Sequence, residues 1–402
     1  MTVESAPTKD GRLWTLIVLG SLTMFSAMST DMYLPSFPAA AQALGVHTVD
    51  MQLTLTSFLL GMGLGQVIYG PLSDRFGRKR PLIFGILLFI VASLVCANVT
   101  TLPALIAWRF VQAIGGSAGT VISRAMVRDR FTGLELARTM TAMGMVFAFA
   151  PAIAPSIGAL IMNLGEWPWI FMALAAFGVY TLIGTVTLHE SHAPEHRTDH
   201  GFVKAAVTYV EILRNREFRL AVATMCAASM ALFSFISSSP AVLMGGYGVA
   251  RSTFGLLFGL NSLAMVVASQ VNMRLLPRLG IQAMLRRATA VQVAASFLLL
   301  VLILVKAPLP AVLVALAMAT GIVSILFGNS MTLALIPFGH RAGSATALSG
   351  LLQMATGGVV AALLSSIPGK PSVVMAGSIL LAVVTAFILV RRHAPGADAG
   401  GH

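Results

Sequence analysis

The stretch Gly70–Arg80, GPLSDRFGRKR, lies between two long apolar runs. Gly70 permits close packing and Gly77 a tight turn. Asp74 can face the positive end of a neighbouring helix or a nearby arginine. Arg78 has a candidate acid in Asp129, at the end of the fourth apolar run. A loop that only kept positive charge on one side of a membrane would need neither Asp74 nor the ordered spacing of Gly70, Leu72, Asp74, Arg75, Gly77, Arg78 and Lys79.

The composition around this loop points to a membrane. Of 402 residues, 57% are hydrophobic and only 10% charged, against about 25% charged in soluble domains. No soluble core hides that much apolar surface. Twelve runs are long enough to cross a bilayer, near residues 13–37, 51–73, 81–99, 102–126, 136–162, 166–188, 218–242, 252–273, 284–305, 308–331, 341–366 and 371–390. Each is expected to be helical, because an open sheet edge in lipid leaves backbone groups unpaired. The first run is too long for the apolar core of a signal peptide, and only Lys9 and Arg12 precede it as basic residues. Cys96 and Cys226 both fall inside runs and imply neither a disulfide framework nor a zinc site.

The net charge of +12 raises the question of nucleic acid. Its placement answers it. With the N-terminus in the cytoplasm, all but four of the 26 Lys and Arg fall on the cytoplasmic side; Arg251, Lys306 and Lys370 fall outside and Arg109 lies within a span. This bias sets a multi-pass topology with both termini cytoplasmic and removes a nucleic-acid role; a bacterial inner membrane is the expected location. Residues 191–217 form a polar linker between a six-span half at 1–190 and a second at 218–402 that ends in a short cytoplasmic tail. His189, His192, His196 and His200 cluster there among charged residues; a solvated linker is the expectation, a metal site the alternative. GFVKAAVTYVEIL, from Gly201, fits a short amphipathic helix along the inner membrane surface. Arg75-Phe76-Gly77 and Arg278-Leu279-Gly280 share an offset of 203 residues, as do Arg138 and Arg341. Two facing six-span halves form a transporter architecture, with the site between them.

Ionisable residues inside the spans are scarce. Asp31 is the only deep carboxylate and Arg109 the only deep base. Together they suggest one electrostatic system able to load and release protons as water access changes; a fixed structural pair is the alternative. Pro35 and Pro38 are expected to bend or end the first span at the outer face, which puts Asp31 about a turn inside it. Arg109 must face a cavity or partner, or else snorkel to the outer interface. Gln112 lies one turn on, and Gly115 and Gly119 make a pair for close helix contact. Pro151 and Pro155 bend the fifth span, and with Gly158 are expected to act as hinge and packing elements. An apolar cavity with a few polar groups would draw on Met28, Tyr33, Phe58 and Gln112 in the first half, and on Phe233, Phe235, Ser237, Asn261, Asn329 and Gln353 in the second. The isolated amides can equally bond neighbouring helices.

The Gly70–Arg80 segment resembles the signature loop of the major facilitator superfamily and matches it at every defining position. The resemblance implies the twelve-helix major facilitator fold, and a conformational latch built from Gly70, Asp74, Arg75, Gly77, Arg78 and Asp129. WRFVQAIGGSAG, Trp108–Gly119, resembles the family's second motif, with Ala113 in place of its first glycine; there the arginine is implicated in proton coupling. GMVFAFAPAIAPSIGALI, Gly144–Ile161, resembles the antiporters' proline-glycine motif, with Ala150-Pro151 for the usual Gly-Pro. TDMYLPSFP (Thr30–Pro38), QLTLTSFLLGMGLGQ (Gln52–Gln66) and RAGSATALSGLLQMATGG (Arg341–Gly358) resemble the bicyclomycin- and chloramphenicol-resistance branch of drug:proton antiporters. That branch implies a monomer in the bilayer that exports small drugs such as phenicols or bicyclomycin-like compounds, powered by protons and using no cofactor. A sugar or amino-acid exporter on the same fold is the alternative, and a non-transporting receptor a more remote one. No nucleophile–base or metal-ligand set suggests an enzyme.

Overall fold

The computed structural model describes residues 9–193, 195, 197 and 202–392. Every regular element among them is helical: α1 (Lys9–Thr23), α2 (Phe25–Asp31), α3 (Phe37–Leu44), α4 (Gln52–Phe76), α5 (Lys79–Cys96), α6 (Leu102–Arg130), α7 (Gly133–Leu164), α8 (Pro168–Thr187), α9 (Phe202–Arg214), α10 (Arg216–Ser239), α11 (Arg251–Leu304), α12 (Leu309–Gly321), α13 (Val323–Leu335), α14 (Ala342–Ser366) and α15 (Pro371–Arg392). Ten helical stretches are long and apolar enough to span a membrane, and the bent pair Leu13–Thr23 with Phe25–Leu44 makes an eleventh span. At 54 residues α11 is far longer than the roughly 20 that one crossing needs. It breaks at Gly280, so it supplies two crossings, and the described chain has the twelve spans read from the sequence.

That break repeats another. Gly280 has φ 74° and ψ 162°, and Gly77, between α4 and α5, has φ 84° and ψ 168°. This corner of backbone space is essentially closed to residues with a Cβ. The offset of 203 residues seen in the sequence is therefore a repeat of backbone geometry at the joint between the second and third spans of each half.

The first span corrects the expectation drawn from its prolines. The bend, 44°, falls at the α1–α2 break around Met24, not at Pro35 or Pro38. Pro35 opens a single 3-10 turn, Leu34–Ser36, and Pro38 sits in the first turn of α3, where a missing N–H costs nothing. The helix runs on to Leu44 and is closed by Gly45 in the left-handed conformation. Asp31 is thus thirteen residues from the end of its span, about 20 Å at 1.5 Å per residue, and lies near mid-span rather than one turn below the surface.

Aromatic packing holds the first half together. Phe25 meets Phe89 edge-on at 4.5 Å and Phe177 at 5.3 Å, which ties the first, third and sixth spans. Gly115 and Gly119 let α6 approach two different neighbours. A Cβ on Gly115 would lie 2.6 Å from the Gly85 carbonyl oxygen, and one on Gly119 2.8 Å from the Leu22 carbonyl oxygen. The halves meet along α4 with α14 and along α7 with α11. α7 passes through Pro151 and Pro155 without a break, and its proline stretch packs onto α11: a Cβ on Gly255 would lie 3.0 Å from the Pro155 carbonyl oxygen. At the face away from the arginine-rich loops, α3 and the Thr48–Met51 turn also touch the π-helical segment Pro240–Gly246.

α9 covers the amphipathic stretch foreseen in the linker, apart from Gly201, which lies outside the described residues. Val207, Val210 and Leu213 are exposed at a spacing of three, while Ile212 is buried and Tyr209 packs against the core. Of the histidine cluster, His196 and His200 lie outside the described residues. No group of three or more potential metal ligands occurs among the described ones.

Candidate functional site

Arg109 has no solvent exposure, which removes the snorkelling alternative. Its Nη1 donates to Gln112 Oε1 at 2.6 Å and its Nη2 to the Ser29 carbonyl at 2.9 Å. Gln112 in turn donates to Ser93 Oγ at 2.7 Å. Three rings surround the guanidinium, with Phe58, Tyr33 and Phe171 centroids at 4.2, 5.0 and 5.7 Å. A desolvated cation over aromatic faces gains about 2 kcal/mol or more. The Arg109 Nε finds no hydrogen-bond partner in its buried position.

Asp31 is 3% exposed. Its carboxylate accepts from the Thr30 hydroxyl at 3.0 Å, and no ion pair joins it to Arg109 among the described residues. The fixed Asp31–Arg109 pair entertained from the sequence is therefore absent. The two residues are connected through backbone instead: Arg109 grips the carbonyl of Ser29, two residues before Asp31, and so anchors the turn that carries the carboxylate. A contact on the far side fixes that turn as well. Gly158 of α7 packs directly on the Met32 carbonyl, with no room for a Cβ.

The other candidate lining residues form two groups: Tyr33, Phe58 and Gln112 gather on Arg109, and Phe235 and Asn261 line a separate cavity of about 200 Å³ in the second half. Met28 and Tyr33 are buried within the first half, Tyr33 against Phe37 and Phe171. Phe58 packs with Met62 and Ala113 and meets Met354 of the second half. Phe233 lies on the Cα face of Gly357, Phe235 stacks on Phe258 at 5.1 Å, and Ser237 is buried with its hydroxyl unpaired. Asn261 accepts from Thr320 at 2.9 Å, and Asn329 donates to Asn272 at 2.9 Å. Both amides thus bond neighbouring helices. Gln353 is half-buried.

The Gly70–Arg80 loop forms a compact charge cluster. Arg78 Nη1 bonds Asp74 and, at 2.9 Å, Ser73 Oγ; its Nε donates to Asp129 Oδ2 at 2.8 Å. The Arg78–Asp129 pair named from the sequence is made. Arg75 carries its guanidinium over the Phe76 ring at 5.3 Å. Gly70 has nothing near the place a Cβ would take, so close packing does not explain it. Burial alone would lower the pKa of Arg78, but the two carboxylates outweigh it and hold the guanidinium above its ordinary value.

Sequence reasoning missed Glu190. Its carboxylate accepts the backbone N–H groups of Arg78 and Lys79, both at 3.0 Å, and so closes the start of α5 from 111 residues away. Burial raises the Glu190 pKa, but backbone donors from Lys79, His192, Arg78 and Ser191 outweigh this and leave it below the ordinary value. Ser191 Oγ also reaches Asp129 at 3.2 Å, and Arg130 bonds the His189 carbonyl. The end of the sixth span is thereby stitched to the loop.

Residues 19–362 match the family model described as Major Facilitator Superfamily. A bicyclomycin resistance protein homolog of Haemophilus influenzae is 30% identical over 386 residues, covering 94% of this chain and 96% of its own length. A chloramphenicol resistance protein of Pseudomonas aeruginosa is 32% identical over 374 residues, covering 90% and 86%. Among solved structures, a D-xylose-proton symporter superposes with a TM-score of 0.74 at 13% identity, over 94% of this chain and 97% of that one. That last likeness concerns the fold alone.

Proposed function

The chain belongs to the Major Facilitator Superfamily, and we propose that within it the protein is a drug:proton antiporter that exports small apolar drugs from the cytoplasm. It is a multi-pass membrane transporter and not an enzyme. The drug and the proton are the added reading. The observation that carries it is the placement of Asp31: a buried carboxylate near mid-span, with one hydroxyl partner, on a turn held from one side by Arg109 and from the other by Gly158. A proton moving on or off that carboxylate changes the charge at the point where the first, fourth and fifth spans meet. The resemblance to relatives named for bicyclomycin and chloramphenicol resistance supplies the substrate class.

In this mechanism a drug enters from the arginine-rich, cytoplasmic face and Asp31 releases its proton. The halves rock about the α4–α14 and α7–α11 seams, the drug leaves, and a proton from outside returns to Asp31. Arg109 is the positioning residue, and the Arg78 cluster fastens the cytoplasmic joint of the first half. A sugar site is less well supported. Gln112, Asn261 and Asn329 bond other protein groups, which leaves few free amides to meet hydroxyls.

The test uses vesicles containing purified protein, an imposed proton gradient and a panel that includes chloramphenicol and bicyclomycin. Uphill drug movement is expected from the wild type and not from Asp31→Asn, while the variant still exchanges drug down its gradient. Uphill transport retained in Asp31→Asn would remove Asp31 from the coupling step. Movement of sugars but of no drug would remove the drug reading.

A further inference from the structure

The arginine-rich face holds a second feature that the transport mechanism does not use. Where α10 begins and α15 ends, a cavity of about 480 Å³ is lined by Arg216, Arg219, Leu220, Ala223 and Arg392. All three guanidinium-bearing residues are exposed, and none has a carboxylate partner among the described residues. Some arginines on this face are engaged, Arg78 with Asp74 and Asp129, Arg341 with Glu211, and Arg391 over the Phe387 ring at 4.3 Å; others such as Arg286 and Arg287 are not, among the described residues. What sets Arg216, Arg219 and Arg392 apart is that they share one hollow. Three unpaired like charges around one hollow repel each other and are relieved by an anion.

The other two lining residues say what kind of anion. Leu220 and Ala223 are half-buried and lie one and two turns into α10, on the side that leads into the apolar zone of the span. The charged rim therefore sits at the level of a bilayer's headgroups and the apolar wall at the level of its chains. A free phosphate would fill the rim and leave the wall bare, whereas a phosphodiester attached to acyl chains fits both. We propose that this cavity is a binding site for an anionic phospholipid, with the headgroup phosphate held by Arg216, Arg219 and Arg392 and a chain lying along Leu220 and Ala223. Guanidinium forks suit phosphate oxygens, and basic pockets between spans on the cytoplasmic side are suited to such headgroups. The site binds at the α10–α15 seam in the second half, away from Asp31 and Arg109, so it stands whether or not the transported substrate is a drug.

The full-length protein in phosphatidylcholine nanodiscs is titrated with short-chain phosphatidylglycerol, short-chain phosphatidylcholine and inorganic phosphate, and bound lipid is read by mass spectrometry. Phosphatidylglycerol is expected to bind about tenfold or more tightly than phosphatidylcholine, with inorganic phosphate a weak competitor. The triple variant Arg216→Gln/Arg219→Gln/Arg392→Gln is expected to lose the preference. Arg286→Gln/Arg287→Gln, on the same face but outside the cavity, is expected to keep it. Leu220→Trp fills the apolar wall without touching charge and is expected to weaken the lipid several-fold while leaving phosphate competition unchanged. This second variant carries the test should the triple variant not fold. No preference in the wild type, or a preference that survives the triple variant or is lost equally in the control pair, overturns the proposal. Phosphate competing as well as the lipid overturns it too, in favour of a soluble anion.

Discussion

Substituting Gly158 with alanine adds one methyl group at the contact between α7 and the turn that carries Asp31. The new Cβ would stand 2.9 Å from the Met32 carbonyl carbon and 3.1 Å from its Cα, with the carbonyl oxygen closer still. All three are backbone atoms, so no side chain can rotate away, and one span must retreat by roughly 1 Å. Overpacking of that kind costs about 1–3 kcal/mol. The same helix provides its own control, since a Cβ on Gly144 meets nothing within 4 Å. Gly144→Ala gains helix propensity worth about 0.5–1 kcal/mol. Gly158→Ala gains the same propensity, so the two variants, identical in chemistry and fourteen residues apart on α7, should differ by the overpacking cost alone, roughly 1–3 kcal/mol. Chemical unfolding of purified wild type, Gly144→Ala and Gly158→Ala in the same detergent measures the difference. Gly158→Ala should also lose transport that Gly144→Ala retains. Equal stability of the two variants, or a gain for Gly158→Ala, would refute the contact as described.

Removing the Arg78 fork by Arg78→Gln is expected to cost about 1.5–3 kcal/mol, as for hydrogen bonds to charged groups; Arg78→Lys recovers only part, because one ammonium cannot reach both carboxylates. A double-mutant cycle with Asp129→Asn should give a coupling of at least about 0.5 kcal/mol, and additivity would argue against the pair. Glu190 has a folded-state pKa below its ordinary value of 4.5. Its contribution is thus complete above that value and lost as pH falls through the lower folded-state one. The stability gap between wild type and Glu190→Gln should hold constant from pH 7 to about 4.5 and narrow only below that, and a gap that widens on acidification would contradict the capping role. For the reciprocal Asn272–Asn329 amides, Asn329→Leu alone should destabilise by about 0.6 kcal/mol or more, whereas the double change to Leu should recover much of that in the same unfolding assay.

The twelve spans were legible because each is a run of apolar residues of the right length, and the joint at Gly70–Arg80 because its chemistry is local. The depth of Asp31 was not legible. Prolines read as terminators turned out to open new helical turns, and only packing distinguishes those uses. The relation of Asp31 to Arg109 was half legible. Their scarcity marked both, but nothing in residue types says that the guanidinium would take the carbonyl of Ser29 and three aromatic rings instead of the carboxylate. Glu190 was hidden by distance along the chain, since its partners are backbone N–H groups that leave no signature in a side-chain pattern. The amides Asn261 and Asn329 looked alike in sequence whether they faced a cavity or a neighbouring helix; the structure gives Asn329 to a helix, while Asn261 bonds Thr320 and also lines a cavity.

The twin breaks at Gly77 and Gly280 share a shape but not a chemistry. Moving 203 residues along, Asp74 becomes Pro277, Arg78 becomes Ile281, Lys79 becomes Gln282 and Asp129 becomes Thr332. One shoulder of the molecule is wired with opposite charges and the other is insulated. Salt and acidity can therefore break ion pairs at only one of the two matching glycine breaks, among the described residues.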